Sequence, residues 1–101
     1  MGENDMQPIP NSPEEALRIF LDKDSEDWER DLAARGIGAF EAGRVALLAT
    51  ARNPTEDEML QRRAAEVLAW YWRDEGTLQT ADLTGFTTSA LEEIELHRRD
   101  G

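Results

Sequence analysis

The single histidine, His97, follows Glu93 by one helical turn, a spacing at which an imidazole and a carboxylate can share a divalent ion. Glu92 and Glu95 are near in sequence. Two ligands do not close a metal site, however, and no second Glu-x-x-His element of the di-iron kind occurs. His97 therefore reads as an exposed residue near a helix end, with no metal and no cofactor expected. The acidic stretch from Asp22 to Asp31 invites a second test. A calcium loop of the EF-hand type needs glycine at position 6 and glutamate at position 12. Counted from Asp22, those places hold Asp27 and Ala33, so the geometry-making residues are missing. What remains is Trp28 among Asp24, Glu26, Asp27 and Asp31. Carboxylates around an indole suit docking to a basic protein surface, because the charges steer approach and the ring buries area.

Nucleophilic chemistry finds no footing. Ser12, Ser25 and Ser89 lie where helix caps are expected, and none sits in a glycine-flanked elbow. Cysteine is absent, which removes disulfides, thiolate metal sites and a thiol nucleophile and fits a reducing compartment. Paired carboxylates are too abundant for any one pair to point to acid–base catalysis. The chain is not expected to be an enzyme. Its aromatic concentration is Trp70-Tyr71-Trp72. Consecutive helical residues point about 100° apart, so the three cannot all face one core. Either the helix is covered on two sides, or Trp70 or Trp72 is left at a self-association surface.

These residues must be positioned by a chain of 101 residues, with 22 acidic and 11 basic side chains and a net charge of −11. That length fits one domain. The charge repels nucleic-acid phosphates and anionic lipid, so neither is an expected partner. Residues 1–35 hold ten acids against four bases, whereas residues 36–75 hold seven against five, so the excess is concentrated near the start. Residues 1–11 read as a flexible acidic tail with no leader-peptide pattern, and 12–101 as a single helical domain. No apolar run approaches a membrane span, and a cytoplasmic location is expected. The excess of arginine over lysine and the many alanines point to a GC-rich bacterial genome.

Ser12, Pro13 and Glu15 make a helix start, with Leu17, Phe20 and Leu21 as one stripe of a helix over 13–22. A second helix over about 25–35 is capped by Asp24 or Ser25. Its apolar positions are Trp28, Leu32 and Ala33, with Asp27, Glu29, Arg30 and Asp31 outside. A third runs over 38–52, with Phe40, Leu47, Leu48 and Ala51 on one face and Gly43 beside it, allowing close approach, and Asn53-Pro54 stops it. Thr55 with Glu58 predicts a capping box for a helix that runs to about Asp74 and is closed by Gly76. Leu60, Ala64, Val67, Leu68 and Tyr71 form its stripe, with Met59 and Trp70 on one flank and Ala65 and Trp72 on the other. That arc is wider than a one-sided helix needs, so this helix is expected at the centre. Leu78, Leu83 and Phe86 suit a short turn ended by Gly85, and Thr88 or Ser89 should cap a last helix through Arg99. No segment alternates as a strand would. The fold class is all-α: a compact bundle of about five helices.

Leu47-Leu48, the Asn53-Pro54 turn, then Arg63-Ala64-Ala65 and Leu68 together resemble one HEAT repeat, the antiparallel helix pair of an α-solenoid, over residues 45–72. The turn is longer than usual in that family, and no second clear copy is seen. The resemblance implies a protein-binding role and carries no catalytic residues. Two expectations follow. One is a non-catalytic interaction module, in its sharpest form a small acidic immunity protein or antitoxin that binds a basic toxin. The other is an architectural, HEAT-like subunit that forms a homodimer.

Overall fold

The structure is a computed structural model and describes residues 12–100. The expected tail at 1–11 lies outside the described residues. Five α-helices account for most of the rest: α1 (Pro13–Leu21), α2 (Asp27–Gly36), α3 (Glu41–Ala51), α4 (Glu58–Glu75) and α5 (Thr88–Asp100). A 3-10 turn, Leu78–Thr80, lies between the last two. No strand occurs among the described residues. The all-α bundle is thus present, and α4 is its centre, packed against α3, α5 and α2.

Local hydrogen bonds set each helix start. Ser12 Oγ accepts from the Glu15 amide at 3.1 Å, as the sequence motif predicts. Four other starts differ from expectation, that of α3 by beginning at Glu41, after Phe40, instead of at 38. Asp22 accepts from the Asp24 amide at 2.9 Å and from Ser25 Oγ at 3.4 Å, which folds residues 22–25 into a turn. Helix α2 therefore begins later, with Glu26 as its cap and the Glu29 side chain returning to the Glu26 amide at 3.0 Å. Thr55 does not cap α4, because its amide and hydroxyl both donate to Asn53 Oδ1, at 3.0 and 2.7 Å. Asp57 takes that place, accepting from the amides of Met59 and Leu60. The cap of α5 is Thr87, whose hydroxyl accepts from the Ala90 amide at 3.1 Å. Its hydroxyl also donates to Gln61 at 2.8 Å, and its amide to the Ala51 carbonyl at 2.9 Å. One threonine thereby joins α3, α4 and α5.

The core is assembled from small side chains as much as large ones. Phe20, Ile37, Leu47, Leu60, Leu68 and Ile94 are fully buried, among Ala33, Ala34, Ala51, Ala64, Ala65, Ala69 and Ala90. Alanine lets helix axes approach closely, so a chain modest in branched residues can still close its core. Helix α4, with 18 residues, outruns α3, with 11. Toward its far end Tyr71, expected in the middle of the buried stripe, is only half-buried, and the guanidinium of Arg44, from α3, lies 4.1 Å over its ring.

The largest revision concerns α2. Arg30, expected outside, is 4% exposed, and Trp28, expected among the apolar positions, is 52% exposed. The inward residues are Arg30, Ala33 and Ala34, followed by Ile37 just past the helix. Arg30 Nε donates to the Phe20 carbonyl at 2.9 Å, and its two terminal nitrogens donate to the two oxygens of Glu56 at 3.1 and 3.0 Å. Lys23 reaches the same carboxylate at 2.6 Å. A planar guanidinium fully matched in this way can be buried where a lysine could not. The arginine ties the end of α1 and the start of α2 to the loop before α4. Gln61 closes the same loop, donating to the carbonyls of Asn53 and Glu56 at 3.0 and 2.8 Å.

Candidate functional site

Helix α2 presents its first turn to solvent. Asp24, Glu26, Asp27 and Trp28 are all exposed. None of the three carboxylates forms an ion pair with another described residue. The indole stays out because the inward positions of α2 are filled by Arg30, Ala33 and Ala34. The structure therefore brings four of the five sequence-predicted contact residues onto one edge: a large apolar ring beside uncompensated negative charge.

Asp31, the fifth, is turned elsewhere. Its Oδ1 accepts from Arg63 Nε of α4 at 2.7 Å, and Arg35 lies 3.6 Å from its other oxygen. Asp31 joins α2 to α4 and contributes less free charge to the edge than Asp24 or Asp27. Arg63 also pairs with Glu66 on its own helix. Of the two tryptophans on α4, Trp72 is half-buried and stacks on Phe86 with ring centroids 6.3 Å apart. Phe86, fixed by the turn before α5, takes up one side of its ring. Trp70, 37% exposed, is the indole of that pair still available.

His97 also departs from expectation. Its side chain is 14% exposed, not free at a helix end. Nε2 lies 3.1 Å from Glu93 Oε2, the expected neighbour one turn back, and 4.0 Å from Glu66 Oε2 on α4. Nδ1 lies 3.3 Å from an Arg73 nitrogen. Glu66, Glu93 and His97 offer three ligand atoms within 4.8 Å of one another. Glu66 and Glu93 also line a cleft of about 600 Å³, together with Glu58, Met59, Arg62 and Arg63. Sequence reasoning found the Glu93–His97 pair but not Glu66, which is 31 positions from the histidine and is delivered by helix packing alone. Arg62 to Glu92 at 2.6 Å and Ser89 to Glu58 at 2.6 Å bridge the same two helices at the surface.

Leu17, Leu21, Ala42, Val45, Ala46 and Ala49 line an apolar groove between α1 and α3, with Leu21 56% and Val45 60% exposed. No helix among the described residues is long and apolar enough to cross a membrane. Compared with protein-family models, curated proteins and solved structures, the chain finds no match.

Proposed function

We propose that this chain is a non-catalytic protein-binding module that engages a basic partner through the acidic start of α2. The observation that carries this reading is the half-exposed indole of Trp28 beside Asp24, Glu26 and Asp27, whose charges no described residue neutralises. Such an edge supplies both parts of a steered interface: long-range attraction for encounter and one aromatic anchor for residence. In its sharpest form the partner is the basic active-site cleft of a cytoplasmic toxin such as a nuclease, and the chain acts as its immunity protein or antitoxin. The HEAT-like helix pair of α3 and α4 would then serve as scaffold.

The test is capture of a partner from the native host with the full chain as bait, followed by binding kinetics at low and high salt. Reversing Asp24, Glu26 and Asp27 to Lys is expected to slow association at least about tenfold at low salt, with the difference shrinking as salt rises. Trp28→Ala is expected to act instead on dissociation, speeding it by about tenfold or more. Equal kinetics for wild type and both variants would sink the reading.

The second reading, a self-associating subunit, draws on exposed Trp70 and the groove at Leu21 and Val45. Sedimentation equilibrium at micromolar concentration separates the two. The partner-binding module is expected to be monomeric, whereas a dimer weakened by Trp70→Ala would favour the architectural role.

A further inference from the structure

We propose that Glu66, Glu93 and His97 form a three-ligand site for a zinc-class divalent cation, clamping α4 to α5. The donor set comes first. An imidazole nitrogen with two carboxylate oxygens suits zinc and its neighbours in the first transition row, and three protein ligands plus water is an established coordination number. Distances come second. Zinc binds such atoms at about 2.0–2.1 Å, so neighbouring ligands in a tetrahedron lie about 3.3 Å apart. His97 Nε2 stands 3.1 Å from Glu93 Oε2 and 4.0 Å from Glu66 Oε2. All three ligand atoms lie within 4.8 Å of one another, so rotation of the side chains is what must close the remaining gap.

The surroundings favour the same atoms. Arg63 holds the other oxygen of Glu66, Oε1, and leaves Oε2 for the ion, the usual way an outer partner orients a ligand. The charge of Arg63 is shared with Asp31, 2.7 Å away, so it does not fully neutralise Glu66. The cleft lined by Glu66 and Glu93 gives an entry path and room for a coordinated water. One group competes. Arg73 donates toward Nδ1 at 3.3 Å, which leaves the imidazole hydrogen on Nε2, facing Glu93. Binding reverses this tautomer: Nε2 gives its proton to solvent, Nδ1 takes one up, and the exposed Arg73 side chain swings away. The test of the site does not depend on any protein partner.

The experiment uses the full chain without a histidine tag. ZnCl₂ is titrated by calorimetry in chelator-free buffer, Co²⁺ is added separately to read its visible absorption, and thermal unfolding is followed with Zn²⁺ and with EDTA. The expected result is one equivalent bound, a visible Co²⁺ band, and a melting temperature raised by Zn²⁺ and returned by EDTA. His97→Gln and Glu66→Gln, each checked for helix content by circular dichroism, are expected to weaken Zn²⁺ binding at least about tenfold and abolish the Co²⁺ band. Arg73→Gln retains all three ligands, removes the positive charge and shortens the donor that reaches Nδ1, so it is expected to bind at least as tightly as wild type. Absence of Zn²⁺ binding by the wild type, or unchanged binding in both ligand variants, overturns the site. Weaker binding by Arg73→Gln overturns the assignment of Nε2.

Discussion

Gly43→Ala is expected to destabilise the protein by about 3 kcal/mol or more, a large share of the stability of a domain this size. Gly43 sits in the first turn of α3, pressed onto the backbone of Ile37 just beyond α2. A Cβ built there would lie 1.8 Å from the Ile37 carbonyl oxygen and 2.7 Å from its carbonyl carbon. The obstacle is backbone, which has no alternative rotamer, so α3 must back away from the α2–α3 corner. That retreat would open the packing around Ile37 and Leu47, both fully buried. Alanine's better helix propensity returns only about 1 kcal/mol. The control has the opposite sign. Gly36 ends α2, and nothing lies within 4 Å of a Cβ built there, so Gly36→Ala should be neutral or stabilising by up to about 1 kcal/mol. Urea unfolding of the two variants beside wild type gives the comparison. Equal stability of Gly43→Ala and wild type would mean that the corner is not packed as described.

Arg30→Met should be comparably damaging, at about 3–5 kcal/mol, because it leaves Glu56 buried without its main partner. The Glu56 side chain is 7% exposed and that of Arg30 5%. The hydrogen bonds from Arg30 outweigh the desolvation that opposes them and, with help from Lys23 and the Asp57 amide, lower the Glu56 pKa from 4.5 to about 2. A pKa lower in the folded than in the unfolded chain stabilises the fold where the carboxylate is ionised in both states. The contribution is therefore complete above about pH 4.5 and is lost as pH falls from there toward 2, amounting to about 3 kcal/mol at most. Urea unfolding at pH 6 and pH 3 should show wild type losing much of this increment, and Arg30→Met, which has already lost it, changing less from this group. Pairing Arg30→Met with Glu56→Leu should recover a substantial part of the loss, since the isolated charge is then gone. A double variant no more stable than Arg30→Met would show that the arginine acts through its bond to the Phe20 carbonyl and its contact with the Phe20 ring, 5.6 Å away, not through Glu56.

The two predictions differ in reach, and that divides what was legible beforehand from what was not: Gly43 meets nearby Ile37, where the sequence already marks a close approach, whereas Arg30 meets Glu56, 26 residues later. The helix class, the Ser12 start, the Gly76 stop and the central place of α4 could all be read from residues within one or two turns of each other. Gly76 adopts φ 77°, the left-handed cap that its position after α4 calls for. The two-sided apolar arc of α4 requires cover on both sides, whichever helices supply it. Among the candidate contact residues, Asp24, Glu26 and Asp27 are exposed as a charged turn should be. The starts of α2, α4 and α5 were less legible. Neighbouring polar side chains compete for the same amides, and the turn geometry decides which of them wins.

Tertiary structure alone decided the rest. Arg30 points inward because Glu56, 26 residues later, and the Phe20 carbonyl meet it there with matched acceptors. By type and periodicity it belonged outside. Trp28 stands in solvent because that inward space is taken. Asp31 leaves the acidic edge because Arg63 of α4 arrives beside it. His97 gains a second carboxylate because α4 and α5 pack in a register that sets Glu66 next to Glu93. Helical backbone, and the apolar faces of the helices other than α2, follow from interactions within about four residues and so are written in the sequence. Which polar groups are buried, paired or left free depends on what the opposite helix brings, and only the packed molecule decides that.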